Sequence, residues 1–192
     1  MDEKKQRVTH LNATVCYLKK ENKVLMIKFT KKWGQVYAPP GGKFEEGESP
    51  LDCILREYYE ETGLKLIHPK LQGISYWKDH KEGIIFVYVA EEYEGVFNRI
   101  SEEGSLEWVK VEDLENIKQF SQNKKFIPYL FQENLFEGKF LLDEKCQVLE
   151  YQIRKIYIRK VLVRMKITKF PQSCLFIETK GKKILVDPGN LK

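Results

Sequence analysis

Short apolar runs bounded by polar turns open the chain. Residues 12–18 and 24–29 predict two strands, and the polar stretch Lys19–Lys23 predicts the turn that joins them. An irregular loop follows over 30–40, because Pro39, Pro40, Gly41 and Gly42 form a run that neither helix nor sheet accommodates. The pattern then changes period. Leu51, Ile54, Leu55 and Tyr58 recur at helical spacing, Ser49 is a good N-cap, Pro50 suits the first helical turn, Asp52 lies three residues past the cap, and Gly63 supplies a left-handed stop. This predicts a helix over 50–62. Further strands are expected near 64–67, 71–77, 83–90, 106–111, 138–142 and 146–152, with a short helix near 112–117 and a longer one near 122–133. Strands and helices mix without strict alternation, so the expected class is α+β, an α/β/α sandwich on a mixed sheet, rather than a doubly wound sheet. No internal repeat is present.

Composition narrows the classes. The chain has 192 residues, 42% of them hydrophobic and 32% charged, enough to bury a core. No stretch approaches the length of uncharged apolar sequence that a membrane span needs, and the N-terminus has no signal-peptide core. Cys16, Cys53, Cys146 and Cys174 are scattered without a CxxC pair, which predicts reduced thiols and a cytoplasmic protein. The net charge of +5 is uneven. From Ile153 to Lys192, eleven Lys and Arg face only Glu178 and Asp187, a net +9 that leaves −4 for the first 152 residues. A nucleic-acid partner is therefore not expected of the main body.

The chemistry gathers on the expected helix. Glu57, Glu60 and Glu61 stand at i, i+3 and i+4, on one face and with no lysine among them. Like charges at that spacing destabilise a bare helix by a few tenths of a kcal/mol per pair, so a cation is expected to neutralise them. An all-oxygen cluster suits Mg²⁺ or Mn²⁺ rather than zinc, and a spare carboxylate serves as general base on a water beside the metal. Gly41 and Gly42 let backbone groups approach the same cation and its phosphates, and Lys43 follows them. An ordinary solvated acidic face is the competing reading of these residues taken alone.

The spacing Gly42, Glu48, Arg56-Glu57-Tyr58, Glu60-Glu61, Gly63-Leu64 resembles the Nudix box, G-x5-E-x7-R-E-U-x-E-E-x-G-U, at every fixed position. Tyr58 is aromatic where U is usually aliphatic. The resemblance covers roughly residues 8–150 and implies a Nudix α/β/α sandwich, with a hydrolase domain over 1–152. It also implies divalent-metal hydrolysis of a nucleoside diphosphate linked to another group. On that resemblance Glu57, Glu61 and the carbonyl of Gly41 are metal ligands, Glu60 is a ligand or the general base, and Arg56 with Glu48 orients the cluster. Glu103 is the expected acid from a distant loop, with Glu102 second.

The layout beyond the box resembles the MutT-like branch, which cleaves oxidised purine nucleoside triphosphates such as 8-oxo-dGTP to a monophosphate and pyrophosphate in nucleotide-pool sanitation. Gln122 and Asn123 stand where the animal enzymes of that branch carry an acidic pair that reads the oxidised base. Phe120 and Tyr37 are candidates to stack on a base, and Lys28 and Lys43 to contact phosphates. An enzyme acting on ADP-ribose or another nucleotide sugar and a non-catalytic nucleotide-sensing module are the alternatives. A monomer or a homodimer is expected.

Residues 153–192 read as a separate basic extension. Residues 153–164 alternate basic and apolar, and 165–189 read as two strands and a turn that resemble the opening hairpin of metallo-β-lactamase-fold proteins. That fold's histidine motif is missing, and His10, His68 and His80 are too dispersed to replace it. The extension is expected to be a fusion remnant, too short to close a core of its own.

Overall fold

In the first hairpin successive side chains enter two different cores, which places the sheet in the middle of the fold. The computed structural model describes residues 11–30, 34–97 and 103–157, together with the backbone of three strands within 165–186. β1 (Leu11–Lys20) and β2 (Lys23–Phe29) turn Cys16, Leu18, Leu25 and Ile27 to one face and Tyr17, Val24 and Met26 to the other, all of them buried. Each face is covered by a helical segment, as a buried two-sided sheet requires.

The remaining strands are β3 (Tyr37–Ala38), β4 (Leu64–Ile67), β5 (Lys70–Lys78), β6 (Glu82–Ala90), β7 (Glu92–Gly95), β8 (Gly104–Lys110), β9 (Leu135–Leu142) and β10 (Val148–Ile156). The main sheet runs β10-β9-β5-β6-β1-β2-β3, with β8 also paired to β2. It is mixed: β1 lies parallel to β6 and β5 parallel to β9, and the other pairs are antiparallel. β4 and β7 form a small separate ladder. β1 and β2 are joined only at Lys19–Val24 and Lys20–Lys23, beyond which they diverge. That divergence opens the space in which the site is built.

Helix α1 (Pro50–Thr62) keeps the expected ends. Ser49 Oγ accepts the Asp52 N–H at 3.2 Å while Asp52 Oδ2 accepts the Ser49 N–H at 3.2 Å, and Gly63 closes the helix at φ 75°. A cap of this kind is worth about 1 kcal/mol. The buried stripe is Cys53, Ile54, Tyr58 and Thr62; Leu51, expected on it, is exposed. Leu51 shares the azimuth of Tyr58 and Thr62 but sits in the first turn, where the helix end is exposed.

Other expectations are corrected by the structure. The helix expected over 112–117 is a single 3-10 turn at Val111–Asp113. The longer helix expected over 122–133 is α2 (Ser121–Phe126), followed by a 3-10 turn at Ile127–Tyr129. Pro128 explains the break, since it has no N–H to give the Lys124 carbonyl and its ring crowds that carbonyl. β3 and β7 were not expected; at two and four residues they are too short for a period to show. Backbone contacts divide the chain at Tyr157–Ile158. In the second unit β11 (Met165–Lys169), β12 (Leu175–Thr179) and β13 (Lys182–Val186) make a three-stranded antiparallel sheet, one strand more than expected over 165–189. No helix among the described residues is long and apolar enough to cross a membrane.

Tyr58 carries a hydroxyl that is fully buried and has no hydrogen-bond partner. Tyr58→Phe is therefore expected to raise the urea unfolding free energy by about 1 kcal/mol, the desolvation penalty of an unpaired polar group. A loss of stability in that variant would contradict the geometry.

Candidate active site

Where β2 leaves β1, the glycine loop takes its place. The N–H of Thr14 donates to the Gly42 carbonyl at 2.8 Å and the N–H of Cys16 to the Pro40 carbonyl at 2.9 Å, so residues 40–42 complete the edge of β1. This close approach needs glycine at two points. Gly41 has φ 145°, and a Cβ there would overlap the Thr14 carbonyl oxygen; a Cβ on Gly42 would overlap the Glu57 carboxylate. Beneath the loop, Thr14 Oγ1 donates to Cys53 Sγ at 3.3 Å, tying β1 to α1.

Arg56 binds the loop to the helix. Its Nε and Nη2 donate to the two oxygens of Glu48 at 2.6 and 2.8 Å, and Nη2 also donates to the Lys43 carbonyl at 3.1 Å. Its Nη1 lies 3.0 Å from Glu57 Oε1 and 3.2 Å from Glu60 Oε2. The planar fork suits this two-pronged contact, which an ammonium does not reproduce. Hydrogen bonds from Arg56 and from the Glu45 N–H hold the Glu48 carboxyl down to about 2, and Glu48 in turn raises the pKa of Arg56.

Glu61 sits deeper, and its Oε2 accepts the Gly41 N–H at 2.7 Å. Burial pushes its carboxyl up to about 8, the Gly41 N–H opposes that rise, and the charges of Glu103, Glu57 and Glu60 add to it. Three glutamates from two distant segments thus bear on the charge of the fourth. Glu103 reaches it from the residue before β8, while Glu102 lies outside the described residues. The donors are all hard oxygens whose mutual repulsion a divalent cation relieves, which fits Mg²⁺ or Mn²⁺. Among the described residues no three acidic, His or Cys side chains are close enough together to hold a metal ion. Glu57 and Glu60 turn to Arg56 and Glu61 to the Gly41 N–H, so binding a cation requires these carboxylates to turn toward one another.

The expected substrate contacts are spread over both faces. Lys28 and Tyr37 are neighbours opposite the α1 face: Lys28 Nζ lies 5.5 Å from the Tyr37 ring centre and 3.7 Å from Glu107 Oε1, and Tyr37 Oη donates to Glu107 Oε2 at 2.7 Å. Glu107 was not foreseen. Only the β2–β8 pairing brings it beside Lys28 and Tyr37, and no local signal marks it. Phe120 packs with the core on the α1 side and Tyr37 with the other, so the two rings belong to different clusters. Gln122 Oε1 is buried without a hydrogen-bond partner, Asn123 is buried, and Lys43 is exposed beside the loop.

Comparison with known proteins places this geometry in a family. Residues 8–130 match the NUDIX domain model. The chain is 33% identical to the uncharacterized Nudix hydrolase YvcI of Bacillus subtilis over 162 residues, covering 80% of this chain and 98% of that protein. It is 28% identical to diphosphoinositol polyphosphate phosphohydrolase 2 of Homo sapiens over 109 residues, which are 61% of that enzyme. A mutator MutT protein from Bacillus halodurans superposes with a TM-score of 0.70 at 30% identity, over 74% of this chain and 97% of that one.

The Glu61 carboxyl makes stability depend on pH. Folded, it keeps a proton that the unfolded chain releases above its ordinary value of 4.5, so the metal-free protein is expected to lose stability as pH rises from about 4.5 to about 8. The loss is on the order of a few kcal/mol. Urea midpoints across that range are expected to fall for the parent protein and to flatten for Glu61→Gln. Equal slopes in the two would show that Glu61 is not the group responsible.

Proposed function

The chain belongs to the Nudix family, and from that premise we propose that it hydrolyses 8-oxo-dGTP or dGTP-like nucleoside triphosphates to a monophosphate and pyrophosphate. It is a pyrophosphohydrolase, and its substrates are nucleoside diphosphate derivatives. The triphosphate reading draws support from the MutT-like layout, including the likeness to the Bacillus halodurans MutT protein.

The observation that carries the catalytic reading is Glu61, buried against the Gly41 N–H with Glu57, Glu60 and Glu103 acting on it. In this reading Glu57, Glu61, Glu103 and the Gly41 carbonyl, with Glu60 as a fourth carboxylate, hold Mg²⁺ or Mn²⁺. Such an ion, held there, would supply charge neutralisation for the phosphates as water attacks in line. Glu60 is the most exposed of Glu57, Glu60 and Arg56. Of the three glutamates on α1 it alone is exposed, and in this reading it takes the proton of the attacking water. Arg56 and Glu48 position the set by tying the loop to α1. Lys43, exposed beside the loop, contacts phosphates, and Phe120, on the α1 side of the sheet, is with Gln122 and Asn123 after it the candidate base contact. Lys28 and Tyr37 meet Glu107 on the opposite face and stand apart from that path.

The purified chain incubated with Mg²⁺ or Mn²⁺ and 8-oxo-dGTP, dGTP or ADP-ribose is expected to release pyrophosphate from the triphosphates. Glu60→Gln is expected to lower kcat by roughly 10²–10⁴-fold, the range of a general base, with little change in KM. AMP from ADP-ribose as the main product would move the substrate to nucleotide sugars. No phosphorus product from any nucleotide would remove the enzymatic reading.

Residues 153–192 stand in this proposal as an appendage that catalysis does not use, since every proposed site residue lies between Lys28 and Asn123. Because β10 continues to Ile156, the chain is best ended after Tyr157. That truncation is expected to keep the kcat/KM of the full chain, and a folded truncation with collapsed turnover would assign the extension a role.

A further inference from the structure

β10 is the end of the main sheet, and among the described residues no strand pairs with its outer side. It is nine residues long and contains no proline. A long free edge presents a row of unpaired N–H and C=O groups, and proteins ordinarily blunt such edges or cover them. Apolar exposure also collects here. Of the ten large exposed hydrophobic residues among those described, Leu141, Leu149, Tyr151, Ile156 and Tyr157 lie on β9, on β10 or directly after it. The charges of β10 do not repel a neighbour uniformly. Lys155 is turned inward, its Nζ 5.8 Å from the Tyr129 ring centre, and among the described residues neither Glu150 nor Arg154 forms an ion pair.

We propose that this edge pairs antiparallel with the same edge of a second copy of the chain, about a two-fold axis normal to the sheet through Gln152. Such an axis leaves each copy's faces on the same side, so one residue must stand opposite its own counterpart. With Gln152 at the centre, Glu150 faces Arg154 of the other copy and Tyr151 faces Ile153, each pair twice. Those are an opposite-charge pair and an aromatic–β-branched pair, two of the favourable cross-strand combinations. The neighbouring registers lack this match. Centring on Glu150 or on Arg154 sets like charges opposite each other, and centring on Tyr151 or Ile153 leaves both charges without an opposite partner. The edge is thus self-complementary in one register, and the eight-stranded sheets of two copies become one continuous sheet.

Sedimentation equilibrium of the full chain is expected to show a concentration-dependent dimer. Glu150→Arg and Arg154→Glu each set like charges opposite one another and are expected to weaken it by at least about tenfold, or 1.4 kcal/mol. The double variant, which swaps the two charges, is expected to restore it. Both residues are exposed, so circular dichroism and thermal unfolding of the single variants should match the parent and exclude misfolding as the cause. Gln152→Cys is expected to form an interchain disulfide under oxidation that the parent does not form, because directly opposed strand residues meet disulfide geometry. A parent that stays monomeric throughout, single variants that dimerise like the parent, or a double variant no tighter than the singles would each overturn the proposal.

Discussion

One guanidinium holds the site in shape. Arg56 reaches the carboxylates of Glu48, Glu57 and Glu60 and the carbonyl of Lys43. It is the one basic residue in Arg56-Glu57-Tyr58-Tyr59-Glu60-Glu61, a turn otherwise dominated by acids. Without it, Glu57 and Glu60 would add their full repulsion to a Glu61 that is already costly to ionise. The loop depends on the same contact. The bidentate pair with Glu48 fastens the far end of residues 43–48 to the helix, while the carbonyls of Pro40 and Gly42 fasten the near end to β1 and the Phe44 ring packs on Phe86.

The sheet makes that arrangement possible. Had β2 stayed paired along all of β1, no edge would have remained for residues 40–42. The strand instead turns to pair with β3 and β8, so that Gly104 and the Glu103 before it come to the site. Gly104 lies against the backbone of Lys28, where a side chain would overlap the Lys28 carbonyl. The divergence that admits the glycine loop therefore also delivers the distant carboxylate. The four-glutamate site proposed above would need both, because α1 alone supplies acids along one line.

Local features were legible in the sequence and non-local ones were not. α1 has both of its expected ends because Ser49, Pro50, Asp52 and Gly63 act within one turn of where they stand. The spacing from Gly42 to Leu64 likewise encloses a loop and a helix that touch directly. Glu107 carries no local signal, since its partners Tyr37 and Lys28 are 70 or more residues away in sequence and meet it through strand register. The second helix was drawn too long because its apolar residues run past Pro128, whose geometry ends the helix sooner than the pattern does. Leu51 has the spacing of the core residues, but spacing does not say how far along the helix the packed face extends.

The two loop carbonyls that complete the edge of β1 have a dynamic consequence. In an ordinary sheet the amides of Thr14 and Cys16 would be guarded by a neighbouring strand and would exchange with solvent hydrogen only on global unfolding. Their guards are the carbonyls of Gly42 and Pro40, which belong to a loop and not to a strand. Whenever that segment lifts, the middle of a central strand is uncovered, so the loop's opening and the local integrity of the core share one free energy. Whatever holds the loop down therefore also tightens the strand beneath it.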